Sequence, residues 1–285
     1  MRLVPDKTLR TTKLPSGEAV PVLGLGTWHL AEGRHSREQE TRALQTGLDL
    51  GMGLIDTAEM YADGGAEKLV GEAIAGRRDE VLLVTKVLPD HASEEGTIRA
   101  CEESLQRLNT EWIDMYLLHW PGSIPLSETI AGFQKLIKAG KVRYWGVSNF
   151  DVDDLKKLSS FEGGSQFSTD QVLYNLTRRG IEFDLLPWCH RHRIPIMAYS
   201  PIEQGRLLNN PVLRAVAKSH GATPAQVALA WTLRHDGVIA IPQAGVADHV
   251  RENHHSLKIH LTSADLDQLD SAFPPPTESR RLETL

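Results

Sequence analysis

The sequence predicts an α/β fold: a (β/α)8 TIM barrel with an N-terminal β-hairpin and extra C-terminal helices. Three observations predict it. Short, nearly unbroken apolar runs recur eight times, amphipathic stretches of helical spacing lie between them, and 285 residues suit one domain of this kind. Runs this short and this apolar suit strands covered on both faces, as in a parallel sheet.

In chain order, residues 11–17 and 19–23 read as a hairpin turning at Pro15, Ser16 and Gly17, placed to plug the bottom of the barrel. The eight strand runs are 24–28, 53–56, 81–86, 115–119, 144–148, 168–172, 196–199 and 238–241. Ser36 opens a helix that carries Glu38 and Glu40 in its first turn and stops at Gly51. Ser93 opens another, with Ile98, Cys101, Leu105 and Leu108 at helical spacing. Asp151 or Asp153 caps the stretch at 155–158. Pro224 sits in the tolerated first turn of a helix over 225–234. Two more helices, about 248–256 and 263–273, follow the last strand. The organisation is then one domain: hairpin about 8–23, barrel about 24–260, and C-terminal helix and tail about 261–285.

Composition narrows the function. Lys plus Arg is 31 and Asp plus Glu is 37, a net charge of −6, which argues against the basic stripe a nucleic-acid binder needs. Cys101 and Cys189 are too few for a disulfide scaffold or a cysteine metal site and read as small buried thiols. The first residues lack the apolar core of a signal peptide, and no run approaches the ~20 apolar residues that span a bilayer. The expectation is a cytoplasmic enzyme with no membrane partner.

In such barrels the chemistry sits at the carboxyl ends of the strands. Those ends carry Trp28, Asp56, Lys86, His119 with Trp120, Ser148 with Asn149, Gln171, Tyr199 with Ser200, and Gln243. Lys86 and His119 each close an otherwise apolar run. Lysine is almost never buried without a partner, and Asp56 on the neighbouring run supplies one. Tyr61 follows five residues after Asp56. A lysine ammonium about 4 Å from a tyrosine is worth ~4 kcal/mol at an effective dielectric near 20, so Lys86 is expected to draw the pKa of Tyr61 toward working pH against the opposing effect of burial. Tyr61 then protonates a carbonyl oxygen as a general acid, with His119 orienting that oxygen. No metal site is expected. His190 with His192, and His254 with His255, lack a supporting carboxylate or cysteine at metal spacing and read as solvated helix faces. Gly24 and Gly26 do not make a dinucleotide fingerprint, which needs a third glycine, and read as close packing at the rim.

An ordered set of strings along nearly the whole chain resembles the aldo-keto reductase family: GLGTW at 24–28, DTAEMY at 56–61, Lys86, LLHWP at 117–121, GVSNF at 146–150, QVLYN at 171–175 and YSP at 199–201. The resemblance implies a tetrad of Asp56, Tyr61, Lys86 and His119 and NADPH-dependent carbonyl reduction by direct hydride transfer. Ser148, Asn149 and Gln171 would hold the carboxamide, and Tyr199 would stack on the nicotinamide. Ser200, Gly205 and Leu207 would wrap the pyrophosphate, Glu252 and Asn253 would serve the adenine, and Trp28 and Trp120 would wall the substrate.

Two departures stand out. The family places a lysine and then an arginine against the 2′-phosphate, where this chain has Gln243 and His249. The expectation is that NADPH still binds, with a protonated His249 or Arg251 compensating, and that NADH becomes possible. The strand-four loop, PGSIP at 121–125, and the tail after Phe273 are short. They suggest a shallow, open pocket for small aldehydes, dicarbonyls and activated ketones, similar to bacterial reductases of methylglyoxal. A monomer is expected, with a dimer left open. Two alternatives stand beside the reductase: a cofactor-binding regulatory subunit with little turnover, and an aldolase forming a Schiff base on Lys86.

Overall fold

Glycine allows the first and last strands of the sheet to meet. The structure, a computed structural model, describes residues 9–285; the expected start of the hairpin at residue 8 and the leading segment 1–7 lie outside the described residues. The elements run β1 (Thr11–Lys13), β2 (Ala19–Pro21), β3 (Leu25–Gly26), α1 (Arg37–Asp49), β4 (Leu54–Asp56), α2 (Gly65–Ala73), β5 (Leu82–Val87), α3 (Glu94–Leu108), β6 (Ile113–Leu118) and α4 (Leu126–Lys138). They continue with β7 (Val142–Ser148), α5 (Val152–Ser159), β8 (Asp170–Leu173), α6 (Leu185–His192), β9 (Ile196–Tyr199), α7 (Pro211–Ser219), α8 (Pro224–Thr232), β10 (Val238–Ala240), α9 (Ala247–His255) and α10 (Ser263–Ala272).

Strands β3 to β10 pair in sequence order, all parallel. Parallel bridges Leu23↔Ala240 and Gly26↔Gln243 close the sheet on itself. At this seam the Gly26 amide donates to the Pro242 carbonyl at 3.0 Å. A Cβ on Gly26 would stand 2.5 Å from the Ile241 carbonyl oxygen, and one on Gly24 2.6 Å from the Leu54 side chain. The two glycines therefore serve the close packing read from the sequence.

Strand side chains alternate between the barrel interior and the helix layer. Leu82 and Val84 on β5, with Met115 and Leu117 on β6, belong to the inner apolar cluster. Leu83 and Tyr116, one residue out of phase, pack in the outer cluster under the helices. Leu14 and Val20 of the β1–β2 hairpin join the inner cluster, so the hairpin plugs the barrel as expected. The inward parity continues through Lys86 and His119, which puts both above that apolar plug.

The helix starts follow their caps. Ser36, Thr223 and Thr262 each form a capping box, and Ser93 accepts from the Gly96 amide. Asp151, rather than Asp153, caps α5. Helix α7 was not singled out from the sequence; its signal was the N-cap Asn210 followed by Pro211. Both cysteines are buried free thiols. Among the described residues, no helix is long and apolar enough to cross a membrane.

Candidate active site

Three strand ends, at Asp56, Lys86 and His119, converge on Tyr61. Lys86 is fully buried. Its Nζ lies 2.8 Å and 2.9 Å from the two carboxylate oxygens of Asp56, donates to the Thr57 carbonyl at 2.7 Å, and donates to the Tyr61 hydroxyl at 3.3 Å. The three ammonium hydrogens thus have three acceptor residues. Because an ammonium only donates, the phenol oxygen accepts, and the phenol's own proton is left for the cavity. The rings of Tyr61 and His119 meet edge to face, 5.8 Å between centroids.

Burial favours the neutral forms of the ion pair, raising the Asp56 pKa and lowering that of Lys86, while their mutual attraction opposes both shifts. The sequence expectation for Tyr61 needs correction here. Its pKa is raised well above the ordinary value, first by burial and then by the Asp56 charge. Burial and the Asp56 charge together outweigh the pull toward working pH that was expected from Lys86. Tyr61 is therefore a phenol held protonated. Burial, with the Lys86 charge adding, lowers the His119 pKa to about 2, so its imidazole is neutral. The Nδ1 of His119 is buried without a hydrogen-bond partner.

A cavity of about 570 Å³ opens above Tyr61. Of the predicted residues, Trp28, Asp56, Tyr61, Trp120, Ser148, Gln171, Tyr199, Ser200, Gly205, Gln243 and His249 line it. Lys86 and His119 stand beside Tyr61, outside the lining residues. Asn149 is outside the lining too: its Nδ2 donates to the His119 carbonyl and to Ser148 Oγ, and its Oδ1 accepts from the Tyr199 hydroxyl at 3.0 Å. Gln171 is tied to the tetrad, its Nε2 donating to Asp56 Oδ1 at 2.8 Å, a link the sequence did not reveal. The side chain of Leu207 is buried in the outer core rather than in the cavity. Glu252 and Asn253 share α9 with His249 but do not line the cavity.

The loop after β9 carries positive φ at Ser200, Glu203, Gln204 and Gly205. Asn175 Nδ2 holds it by donating to the Ser200 carbonyl at 2.9 Å and to Glu203 Oε2 at 2.8 Å. The expectation of a pocket left open by a short tail also needs correction. Ser279 Oγ donates to Asp184 Oδ2 at 2.7 Å, Glu283 pairs with Arg178 at 2.6 Å, and Leu285 lines the cavity. His29, Arg34, Met60 and Gln204 line it as well and were missed. These four sit in loops or a short turn, where no hydrophobic period marks which way a side chain faces.

A phenol kept protonated by burial, with a neutral imidazole beside it and a lysine–aspartate pair behind it, is suited to giving a proton to an oxygen that gains charge. These groups sit at the carboxyl rim of a parallel barrel, where such folds build their active sites. Comparison with known proteins gives the family. Residues 22–273 match the model of the Aldo/keto reductase family, and the chain belongs to that family. It is 51% identical over 270 residues to the methylglyoxal reductase YeaE of Escherichia coli, covering 93% of this chain and 95% of that one. It is 34% identical over 273 residues to a glyoxal reductase of Bacillus subtilis, covering 94% of each. An aldo/keto reductase of Klebsiella pneumoniae, crystallised with NADP and acetate, superposes with a TM-score of 0.95 at 49% identity, covering 98% of this chain and all of that one.

Proposed function

We propose that this chain reduces small aldehydes and dicarbonyls such as methylglyoxal to alcohols with NADPH, Tyr61 giving the proton. The observation that carries the reading is the Tyr61 hydroxyl, bonded from behind by Lys86 at 3.3 Å and open to a cavity walled by Trp28 and Trp120. The residues present fit a nicotinamide. Gln171 and Ser148 face the cavity, and among the described residues no protein donor is bonded to the Gln171 Oε1. Tyr199 is fixed by Asn149 as a platform beside them. Bound NADPH supplies a hydride to the carbonyl carbon.

The chain's own residues do the rest. Trp28 and Trp120 exclude water from the substrate and pack against its carbon skeleton. The neutral His119 donates a hydrogen bond toward the carbonyl oxygen without competing for its proton. Tyr61 transfers its proton as charge builds on that oxygen, and Lys86 steadies the phenolate left behind. Lys86 does not suit the Schiff-base alternative, since it is fully buried and paired with Asp56.

Loss of NADPH absorbance with a panel of aldehydes, dicarbonyls and ketones, repeated with NADH, tests the reading. Turnover is expected with both cofactors. The preference for NADPH should stay below about a thousandfold, because two charge-assisted contacts of roughly 1.5–3 kcal/mol each are replaced at Gln243 and His249. Binding of NADPH with no turnover of any carbonyl would favour the regulatory-subunit alternative.

A further inference from the structure

The two family cations missing at Gln243 and His249 leave a dianionic 2′-phosphate without its usual partners on the loop after β10 and the first turn of α9. Arg251, the expected substitute on α9, is already bonded to Asp248 at 2.8 Å and does not line the cavity. A different arginine does line it. Arg34 shares the cavity wall with Gln243 and His249 but comes from the loop between β3 and α1.

Two observations place that loop against the β10 loop, and a third fixes its base. The seam bridge Gly26↔Gln243 makes the two loops neighbours at their roots. Further out, His35 packs on Gly245 so closely that a Cβ there would stand 2.3 Å from His35 Cδ2. Between these points the loop is anchored from below: Leu30 is fully buried, and the Ala31 amide donates to Glu40, itself buried, at 2.9 Å. Arg34 itself is uncommitted. Its one ion pair among the described residues is with Glu32 at 3.6 Å, too long for a hydrogen bond, and its side chain is 57% exposed. Glu32 is better engaged by His29 Nδ1 at 2.8 Å.

Resting on the function proposed above, we propose that Arg34 grips the 2′-phosphate of NADPH from the first loop, in place of the lysine and arginine absent from the last one. The guanidinium fork matches a phosphate bidentately, and its position across the cleft brings charge to the site that Gln243 cannot. Arg34 would thus set the choice between NADPH and NADH.

The test is direct titration of the whole protein with NADPH, NADH, 2′,5′-ADP and 5′-AMP, by calorimetry or tryptophan fluorescence, for wild type, Arg34→Gln and Arg34→Lys. Arg34→Gln should weaken NADPH and 2′,5′-ADP by about tenfold or more, the scale of a lost charge-assisted contact. NADH and 5′-AMP should stay within about twofold, Tm should not move, and Arg34→Lys should recover part of the affinity. Unchanged NADPH affinity in Arg34→Gln would overturn the proposal. So would an equal loss for NADPH and NADH, which would assign Arg34 to the pyrophosphate or to the shape of the loop. Wild-type protein that binds neither dinucleotide would instead overturn the cofactor reading beneath it.

Discussion

The floor and the rim of the cavity are built on opposite terms. On the floor, Lys86 is fully buried and its three donors are spent on Asp56, Thr57 and Tyr61. Gln171 locks Asp56 from the far side. On the rim, the Arg34 side chain is 57% exposed and keeps its donors, with Glu32 held off at 3.6 Å. The difference teaches where each property is stored. Under the proposed function, proton-transfer geometry is fixed on strand ends before anything binds, while the loops keep charge in reserve for an incoming anion.

The largest expected effect breaks the floor. Lys86→Met leaves Asp56 buried and uncompensated, which costs about 3–5 kcal/mol of stability and removes nearly all turnover. Adding Asp56→Asn should restore much of the stability in urea unfolding and none of the activity. Recovery of turnover in the double variant would show that the pair is structural only. A smaller effect probes the walls. Trp120→Ala or Trp28→Ala should raise KM for methylglyoxal about tenfold, with a lesser change in kcat, the scale of losing part of an apolar contact surface.

A pH series sharpens the comparison further. With His119 held near 2 and Tyr61 raised, neither floor group titrates near neutrality, so reductive kcat/KM should be flat from about pH 6 to 8. A limb near the ordinary histidine value of 6.5 that disappears in His119→Asn would contradict the neutral imidazole. The same depression has a stability consequence. Below 6.5 the unfolded chain binds a proton that folded His119 refuses, so stability drops as pH falls through that value toward about 2. The smallest effect lies in the tail. Glu283→Ala removes a partly exposed pair with Arg178 and should cost less than about 1 kcal/mol in unfolding measurements.

The legibility of the molecule divides along the same line. Lys86 and His119 were readable because each interrupts an apolar strand at its end, and Asp56 only as the carboxylate a buried lysine needs; strand parity then aims all three inward. The hairpin, the barrel and most helix caps followed from alternation and capping residues. What was not readable depends on three-dimensional context. Tyr61 moves up first because it is buried and then because the Asp56 charge lies near, and neither the depth nor that separation shows in the sequence. Arg34, Met60 and Leu285 carry no periodic signal, and only loop packing brings them to the cavity.

Single-turnover reduction of methylglyoxal by Tyr61→Phe, measured beside NADPH titration of the same protein, tests the proton-donor role most directly. The account predicts NADPH affinity within about twofold of wild type and a chemical step slowed by roughly 10²–10⁴-fold. A variant that turns over at the wild-type rate would contradict it.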